Sequence, residues 1–286
     1  MTITKTSYTN NNYRVIIYPD GTKVRYTLKE EFKPLFPEAV DLKITNRCFN
    51  NCKHCHELST PSGLHALLPN IKHLLKELPP GVEIAIGGGD PLTHPLLPFI
   101  VGYIRGLGLI PNLTVNALSL KTGDELKELS SYLGGVGISF SPAKKCQIEK
   151  ALTPSTVVHF IAGLDSIKDA YHYPKRLILG FKKHGRASNL EPPLMEQWIR
   201  EIHLLILAPG ITCFDTLALE QLRLKDLISP QTWASTYMGS DGEFTMYIDA
   251  VSMAYGISSI SKTFPLHFLN IREAFSTLRS LPNDQI

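Results

Sequence analysis

AVDLKITNRCFNNCKHCHE, residues 39–57, joins a short, mostly apolar strand to a loop carrying three cysteines. The spacing of Cys48, Cys52 and Cys55 is C-x3-C-x2-C, and His54 and His56 stand beside the last of them. Thiolates are soft ligands that select zinc, Cu(I) and iron–sulfur clusters. Four readings fit the loop: an iron–sulfur cluster, a zinc site, a covalently attached haem, or cysteines with no common purpose. Residues 52–56 do spell C-x-x-C-H, the haem-attachment pattern. That chemistry normally occurs outside the cytoplasm, and the N-terminal stretch lacks an apolar run of export-signal length. Structural zinc wants a closed set of four ligands. His56 adjoins Cys55 too closely for usual ligand spacing, which leaves a distant Cys146 or Cys213 as the fourth. A cubane held by three cysteines keeps one iron open, and an open coordination position marks a metal that binds substrate or cofactor.

The surrounding chain has 286 residues, enough for one large domain or two small ones, and 43% of them are hydrophobic. Its 29 basic and 26 acidic residues leave a net charge of +3, which predicts no strong grip on nucleic acid or anionic membrane. No segment approaches the roughly 20 apolar residues of a membrane span. The expectation is a soluble, cytoplasmic protein. Its thiols would be kept reduced there, so its five cysteines are read as ligands or catalysts before disulfides.

Outward from the cysteine loop, apolar strands alternate with helical patterns. Strands are expected at residues 39–45, 82–89, 111–118, 135–142, 155–162 and 175–183, and helices at 64–78, 94–108, 123–134, 144–152, 165–172 and 194–207. Alternation of this kind implies a parallel sheet with crossover helices, and sites at the carboxyl ends of the strands. Upstream, Asp20-Gly21 between two apolar runs signals a β-hairpin. Downstream the alternation breaks, with strands expected near 211–219 and 244–251 and a closing helix over 265–281. The expected division is an N-terminal hairpin extension over 1–36, a core over 37–190, and an α/β extension over 191–286 packed on that core.

The cysteine loop after the first strand resembles that of the radical S-adenosylmethionine superfamily, whose hallmark is C-x3-C-x-aromatic-C. A second stretch supports the resemblance: GGGDPL, residues 87–92, ends the second strand, where the family carries Gly-Gly-Glu-Pro. The resemblance covers roughly residues 39–185. It implies a partial (β/α)6 barrel and one 4Fe–4S cluster on Cys48, Cys52 and Cys55. S-adenosylmethionine would bind the remaining iron through its amino and carboxylate groups. One electron then cleaves the cofactor, and the resulting 5′-deoxyadenosyl radical abstracts hydrogen from a small-molecule, nucleotide-like or peptide substrate. Gly88 and Gly89 would expose backbone to the methionyl ammonium, because glycine permits close approach. This chain departs from the pattern twice. His54 stands where the aromatic residue packs near adenine, and Asp90 stands in place of Glu. Asn116, ending the third strand, and Ser139, on the fourth, occupy positions that reach the cofactor in the family. Flavodoxin or ferredoxin is the electron donor that the resemblance implies. Residues 214–222 and 237–250 look similar to uncharacterised members, some of them phage-encoded.

Several other residues have two readings. Gly137, Ser139 and Ser141 share one parity, opposite Val136, Ile138 and Phe140, which suits a polar face toward a cavity or toward solvent. Lys182, Lys183, His184 and Arg186 end the sixth strand, as anion ligands or as a solvated loop. Tyr237, Asp241, Glu243, Tyr247 and Asp249 are substrate contacts or solvated charges. His159 is a core or a cavity histidine. Cys146 and Cys213 are simple thiols, which limits the cluster count to one. Two alternatives to the enzyme remain: a zinc-stabilised non-catalytic binding module, and a degenerate family member that binds a cluster without cleaving the cofactor.

Overall fold

The computed structural model describes residues 5–29, 31–266 and 270–281. Strands β1 (Thr6–Asn10), β2 (Tyr13–Ile17) and β3 (Lys23–Tyr26) form an antiparallel sheet. β2 and β3 meet around Gly21, whose φ of 90° suits glycine in the turn.

The main sheet follows. In chain order it contains β4 (Ala39–Thr45), β5 (Glu83–Gly88), β6 (Ile110–Asn116), β7 (Gly135–Ser139), β8 (Thr156–Ile161), β9 (Lys175–Leu179) and β10 (Ile211–Phe214). Each pairs in parallel with the next. On the other flank β11 (Thr245–Asp249) pairs in parallel with β4, followed by antiparallel β12 (Ala254–Gly256) and β13 (Phe264–Pro265). The parallel array is thus wider than the six strands expected. β10 and β11 come from the stretch after residue 190, so that stretch builds the sheet at both flanks.

The helices are α1 (Leu68–Leu75), α2 (Leu97–Gly106), α3 (Lys127–Ser130), α4 (Lys145–Ala151), α5 (Ile167–Ala170), α6 (Met195–Leu207), α7 (Thr216–Gln221), α8 (Pro230–Thr236) and α9 (Ile271–Ser280). Pro69 opens α1 where the sequence pattern has it interrupting a longer helix; proline fits the first helical turn, where the N–H it lacks would have no intrahelical acceptor. The helix expected over 123–134 shrinks to the single turn of α3, because the Glu125 carboxylate accepts from the backbone N–H of Lys121, Thr122 and Gly123 and holds a loop there. The closing helix begins only at Ile271, where Asn270 and Glu273 form a capping box; residues 267–269 of that expectation lie outside the described residues.

Strand alternation sorts the side chains. Val40, Leu42 and Ile44 on β4, Ile84 and Ile86 on β5, and Leu113 and Val115 on β6 join the helices in one apolar core. Their opposite faces are left to line a cavity. The small N-terminal sheet packs Tyr13, Val15 and Ile17 against Ile110 and Phe244, at the amino ends of β6 and β11. Glu38, fully buried just before β4, accepts from Arg25 Nε and Tyr13 Oη at 2.7 Å each. That end of the sheet is covered, and the carboxyl ends carry the cysteine loop. Among the described residues no helix is long and apolar enough to cross a membrane.

Candidate functional site

A cavity of about 460 Å³ lies on the inner face of the main sheet. Its walls come from β4, β5, β6, β7, β8, β9 and β11 together with the cysteine loop. That size falls in the range of small-molecule sites. Cys48, Cys52 and Cys55 all line it, as do His54, Gly88, Gly89, Asn116 and Ser139. Asp90 does not. It is buried, and its carboxylate accepts from Leu92 N at 3.1 Å, capping the turn over Pro91–Thr93.

The glycines that end β5 serve the cysteine loop in a way the sequence did not suggest. A Cβ at Gly88, where φ is 112°, would lie 2.5 Å from Thr45 O, and one at Gly89 would lie 2.5 Å from Arg47 O. The close approach they allow is to the loop backbone. Gly89 N donates to Thr45 O at 2.7 Å and Asp90 N to Arg47 O at 2.8 Å, stitching the end of β5 to the start of the loop. Gly87, by contrast, faces open space, with nothing within 4 Å of an added Cβ.

Arg186 holds the loop from the other side. Its Nε donates to Cys52 O at 2.9 Å, and its two terminal nitrogens donate to Ser59 O at 3.1 and 3.2 Å. Its backbone N–H donates to Cys55 O at 3.0 Å. Gly185, with φ of 59°, packs where a Cβ would meet His56 O at 2.5 Å. Asn50 adds a third tie, donating to Ser119 Oγ at 2.9 Å beyond β6. Of the basic run after β9, Arg186 is therefore a clamp, Lys183 pairs with exposed Glu191, His184 is exposed, and Lys182 lines the cavity.

All three cysteines are half-buried and free of disulfides. Burial pushes the Cys48 and Cys52 thiols up, and the neighbouring thiols push Cys52 the same way. Thiolates at these positions therefore want compensating positive charge from a metal. Among the described residues no group of three or more His, Cys, Asp or Glu side chains gathers closely enough to hold a single ion. Cys146 and Cys213 are exposed and do not line the cavity.

The strand faces follow parity in part: Phe140 also reaches the cavity, and Gly137 does not line it. Ser139 and Ser141 line the cavity, opposite the buried Val136 and Ile138. Asn116, Ser139 and His159 lie side by side in register across β6, β7 and β8. Asn116 Oδ1 accepts from Leu118 N at 2.9 Å, which leaves its amide nitrogen without a partner among the described residues. His159 faces the cavity, and its ring lies over Gly137, where a Cβ would sit 2.5 Å from Nε2. Burial lowers His159 to about 4, so it is neutral. Burial, then Arg186, lowers His54 as well.

Asp41, Lys43, Glu57 and Asp165, none of them singled out from the sequence, also line the cavity. Lys43 Nζ contacts Glu57 Oε2 at 2.5 Å and Asp249 Oδ2 at 3.2 Å, and Tyr247 Oη donates to Glu57 Oε1 at 3.1 Å. Burial opposes the Lys43 charge, but the two carboxylates outweigh it and raise its pKa. Asp41 lines the cavity, raised to about 6 by burial against the opposing pull of Lys182. Asp165 is raised to about 7 by burial and accepts from Ile161 N at 2.6 Å. The signal for Asp41 and Lys43 was the alternation of β4 itself: both share the parity of Thr45, opposite Val40, Leu42 and Ile44. Of the acidic group near β11, Tyr247 and Asp249 belong to this network. Tyr237 and Glu243 instead bond Ser240 beside it.

No protein-family model matches the chain. It is 30% identical over 115 residues to a 7,8-dihydro-6-hydroxymethylpterin dimethyltransferase of Methanocaldococcus jannaschii, covering 36% of this chain and 23% of that enzyme. Among solved structures, Streptococcus suis SuiB bound to its precursor peptide SuiA superposes with a TM-score of 0.60 at 12% identity, covering 87% of this chain and 66% of SuiB. SuiB bound to S-adenosylmethionine gives 0.59 at 10% identity, covering 86% and 68%. The chain thus spans under a quarter of the curated relative and about two thirds of SuiB. At such identities the likeness to SuiB is one of fold: a mixed α/β architecture built on a large parallel sheet, shared over most of this chain.

Proposed function

We propose that the protein is a radical S-adenosylmethionine enzyme of the partial-barrel type. One observation carries the reading. The C-x3-C-x2-C loop, the glycine-rich end of the second core strand and the polar faces of the next two strands all line a single cavity. The similarity in fold to SuiB, a structure of which holds S-adenosylmethionine, supports it. When bound, a 4Fe–4S cluster with one open iron would supply reductive cleavage of S-adenosylmethionine to a 5′-deoxyadenosyl radical.

The chain's own residues would do the rest. Cys48, Cys52 and Cys55 hold the cluster. Arg186 and the end of β5 fix the loop that carries them. Gly87, open to the cavity, together with Asn116 and Ser139, accommodates the cofactor's polar groups, and His54 covers its ring. A flavodoxin or ferredoxin supplies the electron, and the substrate is a small molecule or a peptide.

Anaerobic reconstitution tests this. It should yield about four irons per chain and a brown chromophore. With dithionite and S-adenosylmethionine the protein should release 5′-deoxyadenosine. Cys48→Ala, Cys52→Ala and Cys55→Ala should each lose most of the iron, whereas C146A and C213A should keep it. A colourless, zinc-loaded protein that releases no 5′-deoxyadenosine overturns the reading.

A further inference from the structure

The charges lining the cavity can be accounted for one by one. Lys43 is held by Glu57 and Asp249. Glu57 also accepts from Tyr247. His56 Nε2 meets Ser259 Oγ, and His159 is neutral, lowered to about 4 by burial. Asp165 turns one carboxylate oxygen to the backbone of Ile161 and, raised to about 7, carries partial charge.

Two full charges of opposite sign remain. Asp41, on β4, is open to the cavity and makes no hydrogen bond or ion pair among the described residues. Its ordinary carboxylate range is shifted upward, yet it stays mostly ionised at neutral pH. Lys182, just beyond β9, donates from Nζ to Ser259 Oγ at 2.7 Å and forms no ion pair among the described residues. That leaves donors on its ammonium for a ligand. The Lys182 charge lowers the Asp41 pKa while Asp241 and Asp215 raise it, and no ion pair joins Asp41 to Lys182. β4 and β9 are separated by four strands of the curved sheet, so the charges stand on different walls of the same cavity.

Asp41 is exposed within the cavity and Lys182 is half-buried on its wall, so a ligand can reach both charges. Two unpaired charges of opposite sign on separate walls describe the complement of a molecule bearing both signs. We propose that this cavity takes a small amino-acid-like zwitterion as substrate, with its ammonium on Asp41 and its carboxylate on Lys182. Ser259 positions Lys182, and its hydroxyl is in turn 3.1 Å from His56 Nε2 beside the cysteine loop. The inference rests on the enzyme reading for the word substrate; the binding site itself stands on the two charges.

The test is ligand-observed NMR on anaerobically reconstituted protein, backed by calorimetry. Probes are the proteinogenic α-amino acids except methionine, plus β-alanine, γ-aminobutyrate and 5-aminovalerate. Each is compared with the amine and the acid that lack one of its charges. At least one zwitterion should bind, and its single-charge analogues should bind about tenfold or more weakly, equivalent to one factor of ten in Kd. Asp41→Asn should cost the zwitterion about tenfold or more while sparing the acid analogue, and Lys182→Met should cost it as much while sparing the amine analogue. The analogue comparison needs no variant, so it decides the matter even where a substitution fails to fold. Absence of any zwitterion binding overturns the proposal. So does binding indifferent to both substitutions. Loss of S-adenosylmethionine binding in Asp41→Asn, with amino-acid binding kept, also overturns it by giving the pair to the cofactor. Iron content and 5′-deoxyadenosine release on the same preparations separate the two readings. Colourless, inactive protein that binds a zwitterion rejects the enzyme and keeps the site; brown, active protein that binds none does the opposite.

Discussion

Arg186 reaches across 134 positions of chain to donate its Nε to the backbone carbonyl of Cys52 at 2.9 Å. The same guanidinium binds Ser59 O, so one planar fork spans the cysteine loop. A loop carrying three thiols has little apolar surface with which to fix itself. Its position is set from outside, by Arg186 after β9 and by the backbone stitches from the end of β5.

Removing the clamp should loosen the loop more than it unfolds the protein. Arg186→Ala leaves the carbonyls of Cys52 and Ser59 short of donors, at about 1–3 kcal/mol for a buried group left unsatisfied. Arg186→Lys should recover only part, because a lysine ammonium cannot reproduce the fork. Iron bound per chain after anaerobic reconstitution should fall in the order wild type, Lys variant, Ala variant. Equal loading in all three would show that the clamp is dispensable.

Gly137→Ala should disturb the cavity without touching the loop. The new Cβ would lie 2.5 Å from His159 Nε2, so the ring must leave its place over β7. Overpacking of this kind costs about 1–3 kcal/mol. The expected result is a lower melting temperature and impaired turnover with iron content intact. The double variant Gly137→Ala/His159→Ala should regain most of the stability, which thermal unfolding would show.

Lys43 sits between two carboxylates, with only 7% of its side chain exposed. Lys43→Met should cost about 3–5 kcal/mol, because Glu57 and Asp249 then face each other without a cation. Adding Glu57→Gln should return part of that loss. Urea unfolding of the single and double variants checks it; a Lys43→Met variant as stable as wild type would contradict the ion-pair account.

Asp165 makes stability depend on pH in a defined direction. Its folded pKa is raised to about 7 by burial, above the ordinary value of 3.8. Between those values the folded chain binds a proton that the unfolded chain does not. The group therefore adds stability as pH falls from 7 toward 4, and that contribution is lost as pH rises through 7. His159, lowered to about 4, works the other way: unfolding takes up its proton below 6.5, so the fold weakens as pH falls. Asp165→Asn removes the first effect and keeps the second. Melting temperatures from pH 7 to 4 should drop more steeply in the variant than in wild type. A parallel pair of curves would refute the assignment.

The reach of the sequence can be judged from particular residues. The cysteine spacing, the βα alternation and strand parity are local signals: the three cysteines line one cavity, the six expected strands pair in parallel, and Ser139 and Ser141 face that cavity while Gly137 lies under His159. The motif position of Asp90 says nothing of the turn it caps. A basic run looks the same whichever groups it meets, so Arg186 reads as an anion ligand or a solvated cation and its hold on Cys52 and Ser59 is hidden. Helical spacing cannot show that Glu125 binds the backbone upstream of α3.

What the sequence determined by itself is what periodicity and short spacing encode: strands, crossovers, a thiol loop at a strand end, and which faces are polar. Only the tertiary structure decided which charges are paired. Lys43, Glu57, Asp249 and Tyr247 come from three separate stretches and meet only because β11 returns to lie beside β4. That same return leaves Asp41 and Lys182 facing a common space without touching. Charge pairing depends on distances between residues far apart in the chain, and those distances exist only once the strands have paired into one sheet.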